Sequence, residues 1–133
     1  MKINKIIMIL FIATAFASCN CQQKQQNEVV EIISVEELDQ ADSTIQLIDV
    51  RTPEEYAEGY IKHAKNINVF DDNFIALIYK LDKEKPVYVY CRSGKRSADA
   101  SEQLEKAGFT KIYDLDGGIV KWKDEGKEII KNE

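Results

Sequence analysis

Apolar and polar residues alternate along the chain in two periods, and the switches between them outline the elements. Val29-Val30-Glu31-Ile32-Ile33 and Ile45 to Val50, the latter interrupted by Gln46, are apolar runs of strand length. Ile67-Asn68-Val69 predicts a third strand, Val87 to Tyr90 a fourth introduced by Pro86, and Lys111 to Leu115 the last. Helix signals fall between them. Ser34 with Glu37, and Thr52-Pro53-Glu54-Glu55, have the spacing of capping boxes, the second with proline at the first helical position. Asp71 or Asp72 is expected to open a helix whose Phe74, Leu77, Ile78 and Leu81 make one apolar stripe. Ser97 to Ala107 predicts another, with Ala100, Leu104 and Ala107 on one face and Gly108 as its stop, and Gly117-Gly118 leads into a helix carrying Trp122.

Strands alternating with helices at this spacing imply βαβ units. The expected fold is α/β and three-layered, a mostly parallel central sheet with helices on both faces, spanning residues 29–133. Functional sites in such folds gather at the carboxyl ends of strands, where Asp49 and Cys91 both stand.

The chain before this domain reads differently. Lys2 and Lys5 precede an apolar stretch from Ile6 to Ala17, which is short for a membrane span and predicts a signal peptide over residues 1–18. Phe16-Ala17-Ser18-Cys19 resembles a bacterial lipoprotein signal, with Phe16 where leucine is more usual, and implies lipidation of Cys19. Cleavage after Ala15 or Ala17, or an uncleaved anchor, are the alternatives. Residues 19–28 are polar, without apolar periodicity, and read as a flexible tether. The expected location is therefore exported, on the periplasmic side, with membrane contact only through a lipid at Cys19.

Composition narrows the partners. A 133-residue chain with 44% hydrophobic and 31% charged residues suits one globular domain, and its net charge of −5 argues against nucleic acid. One histidine and one cysteine within the folded region offer no metal-ligand spacing, so neither metal nor cofactor is expected. His63 reads as a surface residue. Cys21 reads as a residue of the tether, with pairing to Cys91 as the alternative, and Cys91 is the single thiol inside the folded region.

Cys91 is followed by Arg92, Ser93, Gly94, Lys95, Arg96 and Ser97, directly after the fourth strand. A thiol at a strand end, then a loop with glycine and cations, then a helix start, predicts an anion cradle. Backbone N–H groups and the helix N-terminus would converge on the sulfur and favour thiolate. Arg96 is expected to hold an oxyanion with its planar fork of donors. No general base is evident in the sequence, so a thiolate made by electrostatics alone should attack a soft, activated atom.

Taken together, Leu47-Ile48-Asp49-Val50-Arg51, Glu54-Glu55-Tyr56, Gly59-Tyr60-Ile61, Ala64, Asn66-Ile67, the loop Cys91 to Ser97, and Gly117-Gly118 with Trp122 resemble a single-domain rhodanese from about Val29 to Glu125. The resemblance implies a sulfurtransferase of the thiosulfate type. Cys91 would take the outer sulfur of an anionic donor as a persulfide and pass it to cyanide or a thiol. Arg92 to Ser97 would bind the anion, Asp49 and Arg51 would support the loop, and Gly117, Gly118 and Trp122 would pack. The sequence departs from the family at Tyr60, where histidine is frequent, and at His63, where glycine is frequent. Two rival readings remain: a non-catalytic persulfide carrier or protein-interaction module, and a cysteine-dependent phosphatase. The latter spaces its cysteine and arginine more widely than the four residues separating Cys91 from Arg96.

Overall fold

The computed structural model describes residues 28–131. The expected signal peptide, Cys19 and nearly all of the tether therefore lie outside the described residues.

Ten elements follow in the predicted alternation: β1 Val30–Ile33, α1 Val35–Asp39, β2 Gln46–Asp49, α2 Pro53–Glu58, β3 Lys65–Asn66, α3 Phe74–Ile78, β4 Val87–Tyr90, α4 Lys95–Lys106, β5 Ile112–Leu115 and α5 Gly118–Asp124. The strands form one sheet in the order β1-β5-β4-β2-β3, and every pairing is parallel. All strand carboxyl ends consequently share one edge of the sheet, with β4 at its centre. The fold is α/β as expected, more uniformly parallel than the sequence required. Among the described residues, no helix is long and apolar enough to cross a membrane.

Alternation along the buried strands divides the core in two. On one face Ile48, Val50, Val87, Val89, Cys91 and Ile112 pack against Phe74 and Ile78 of α3 and Ala100 and Leu104 of α4. On the other, Leu47, Tyr90 and Leu115 pack against Val35 and Leu38 of α1 and Ile119 and Trp122 of α5. Both capping boxes form. Ser34 Oγ accepts from Glu37 N at 3.2 Å, Thr52 Oγ1 accepts from Glu55 N at 3.3 Å, and each glutamate returns a bond to its cap backbone.

Three elements depart from expectation. The third strand is Lys65–Asn66, not Ile67 to Val69, although Ile67 N and Val69 N still bond to Asp49 O and Val50 O beyond it. The apolar residues there mark where the segment enters the core, not where the ladder forms. α3 is short because Asp71 Oδ1 accepts from Asn73 N at 2.8 Å, an Asx turn that displaces the expected helix start. It ends before Leu81, whose N–H reaches back only to Ile78 O. α4 begins at Lys95, not Ser97, because Gly94 adopts a left-handed φ of 118° and its carbonyl accepts the Ala98 N–H. Lys95 and Arg96 thus belong to the first helical turn.

Candidate active site

β4 ends at the centre of the sheet, and Cys91 is the next residue. Its side chain joins the core on the α4 side and is only 1% exposed. Gly94 N donates to Cys91 Sγ at 3.0 Å, and Cys91 Sγ lies 3.5 Å from Ser97 Oγ as donor. Ser97 Oγ in turn donates to Gly94 O at 3.1 Å, so its single proton is engaged within the turn. The sequence led us to expect several amides on the sulfur. Among the described residues one backbone N–H, that of Gly94, bonds it.

The first turn of α5 locks the loop from below. Ile119 N donates to Cys91 O at 2.9 Å and Val120 N to Arg92 O at 3.1 Å. A Cβ on Gly118 would fall 2.5 Å from each of those carbonyl oxygens, so the approach requires glycine at its φ of 59°. Gly118 therefore shapes the loop as well as packing.

The loop cations divide into two kinds. Arg92 and Lys95 are exposed and make no ion pair among the described residues. Ser93 is exposed between Arg92 and Gly94. Arg96 differs from expectation. Its fork closes on Glu55 of α2, with Nη1 to Oε2 at 2.6 Å and Nη2 to Oε1 at 2.8 Å, so its donors hold a protein carboxylate in place of a substrate anion. The Arg96 hydrogen bonds hold the Glu55 carboxyl down at about 2. This pairing, 41 residues apart in sequence, was not visible in the chain's pattern. Phe70, itself exposed, lies with its ring centroid 5.9 Å from the Arg96 guanidinium.

Asp49 and Arg51 form a closed unit beside the loop. Asp49 is fully buried and accepts from Arg51 N, Nε and Nη2 at 3.0, 2.9 and 2.6 Å. Arg51 Nη2 also donates to Gly59 O, and Asn66 Nδ2 donates to both Asp49 O and Arg51 O. Burial works against the charged guanidinium of Arg51, but the hydrogen bonds and charge of Asp49 outweigh it and raise its pKa. The unit ties β2, α2 and β3 together, and Val50 N bonds Tyr90 O at the foot of the loop. Burial, and next the Asp49 charge, push the Tyr90 hydroxyl upward, while that oxygen accepts from Ile61 N.

His63 is exposed and is not among the thiol's hydrogen-bond partners. Its φ of 68° lies in the left-handed region, which glycine adopts without strain.

One buried group escaped the sequence reading. Asp114 on β5 is 3% exposed, and its Oδ1 has no hydrogen-bond partner among the described residues. Burial pushes its carboxyl up to about 6, with the Ser97 hydroxyl pulling the other way. The signal was present: a lone carboxylate inside an apolar run that reads as a buried parallel strand.

A family model described as the rhodanese-like domain matches residues 34–125. The Bacillus subtilis protein YqhL is 35% identical over 119 residues, covering 90% of this chain and 92% of its own length. The Shewanella oneidensis thiosulfate sulfurtransferase GlpE is 33% identical over 79 residues, covering 59% of this chain and 76% of its own. Among solved structures, the rhodanese-related protein of Thermoplasma volcanium superposes with a TM-score of 0.69 at 30% identity, covering 77% of this chain and 99% of that one.

Proposed function

The chain belongs to the rhodanese-like domain family, and from that premise we propose that it is a sulfurtransferase carrying sulfane sulfur on Cys91. The observation that carries the reading is the bond from Gly94 N–H to Cys91 Sγ at the head of α4, with the exposed Arg92 and Lys95 in the same loop. A fixed donor orients the sulfur, and the exposed cations draw an anionic donor to the loop.

With thiosulfate, the thiolate attacks the outer sulfur. The donor's S–S bond breaks, sulfite leaves with the electron pair, and Cys91 carries a persulfide. Cyanide or a thiolate then attacks the terminal sulfur and restores the Cys91 thiolate. Arg96 takes a different role from the one its spacing suggested: through Glu55 it fixes the first turn of α4, and Arg92 and Lys95 meet the anion. Asp49 and Arg51 support the loop from β2.

The near-complete burial of Cys91 favours a second reading, a persulfide carrier that exchanges sulfur with a docked partner instead of turning over. Steady cyanide-dependent thiocyanate formation from thiosulfate, abolished in Cys91→Ala, supports the enzyme. A single stoichiometric loading without repeated cycles supports the carrier, and turnover surviving in Cys91→Ala refutes both. Export with a lipid on Cys19 belongs to the same proposal and is tested by fatty-acid labelling that Cys19→Ala abolishes.

A further inference from the structure

We propose that Asp114 and Cys91 share one negative charge across Ser97, the carboxylate acting as remote proton acceptor for the thiol. The inference rests on the reading of Cys91 as the nucleophile and adds the base that the sequence did not reveal.

Strand alternation sets the geometry. Asp114 pairs in register with Val89, two residues before Cys91 on the neighbouring central strand. Ile112, two residues before Asp114, clusters with Val89, Cys91, Ala100 and Leu104, so Asp114 lies on the same α4-covered face of the sheet. α4 presents Ser97 and Ser101 to that face, both buried, and Ser101 Oγ also lacks a hydrogen-bond partner among the described residues. Ser97 is thus in contact with the sulfur and lies beside the carboxyl.

A buried carboxylate without a partner is costly and therefore ready to take a proton. Few other charges act on it. α4 offers hydroxyls, β4 offers Val89 and Cys91, and β1 offers Ile32 in register. Asp116, beyond the end of β5, adds repulsion, which also favours the protonated carboxyl.

The step balances without an oxidant or reductant. The Cys91 S–H bond breaks and its proton joins Ser97 Oγ, while the Ser97 O–H turns from Gly94 O and gives its proton to the Asp114 carboxylate. The electron pair stays on sulfur. One charge has moved from carboxylate to thiolate.

Coupled groups of this kind titrate as a pair. The test is the iodoacetamide alkylation rate at Cys91 in the full chain, read by peptide mass across about pH 5 to 9, which needs no sulfurtransferase activity. The wild type should show a rise to about pH 6, a plateau, and a second rise. Asp114→Asn should show one continuous rise, and at about pH 6 react several-fold more slowly. Ser97→Ala should lower the plateau, and Ser97→Thr should restore it. A wild-type profile with a single rise, or a plateau retained in Asp114→Asn, overturns the shared charge. Those outcomes are distinct from loss of the sulfurtransferase reading, which depends on turnover and Cys91→Ala.

Discussion

Two aspartates are buried in the same parallel sheet, and the fold treats them in opposite ways. Asp49, at the end of β2, is enclosed by Arg51 and carries four hydrogen bonds from it. Asp114, inside β5, has an oxygen that no described residue bonds. A paired carboxylate is a fixed structural charge, whereas an unpaired one is a group whose protonation the surroundings can change. The contrast separates what holds the loop from what can act on it.

The largest effect should come from breaking the paired site. Arg51→Ala leaves Asp49 buried without its counter-charge and removes the bond to Gly59 O, and we expect a loss of about 3–5 kcal/mol in urea unfolding. A loss below about 1 kcal/mol would mean that Asp49 is held by other partners and that the contrast is false.

The opposite sign is expected at the unpaired site. The folded-state pKa of Asp114 is raised to about 6 from 3.8, so ionising it opposes folding. The Asp114 contribution to stability is then most favourable below about pH 4 and is lost as pH rises through about 6. Asp114→Asn removes the charge and should gain about 2 kcal/mol at about pH 8, with the gain vanishing near pH 4. Destabilisation at every pH would show that the carboxylate has a partner after all.

A smaller effect is expected at Glu55, which sits between the extremes: paired, but partly open to solvent. Its pKa is lowered to about 2 from 4.5, so its contribution is present above about pH 4.5 and is lost as pH falls toward 2. After allowance for solvent screening, Glu55→Gln should cost about 1 kcal/mol at neutral pH and loosen the first turn of α4. Unchanged thermal unfolding together with unchanged sulfur transfer would remove the clamp from the account.

The comparison also shows where a linear chain informs and where it does not. Capping boxes at Ser34 and Thr52, the run Val87 to Tyr90 and the loop after Cys91 are local, and each was legible because its partners lie within a few residues. The Arg96–Glu55 clamp joins α4 to α2, and only the packed arrangement reveals that the guanidinium is already occupied. Asp114 required the register of β5 against β4 before its place behind Ser97 had meaning. The third strand and the start of α3 were misplaced because apolar periodicity reports burial. Strand pairing there is set by an edge ladder, and the helix start by the Asx turn at Asp71.

Whether Cys91 bears the transferred sulfur is decided by the intact mass of the purified chain. Incubation with thiosulfate should add one sulfur, found on the peptide containing Cys91, and cyanide should remove it. A mass unchanged by thiosulfate, or a sulfur located on Cys21, would contradict the account.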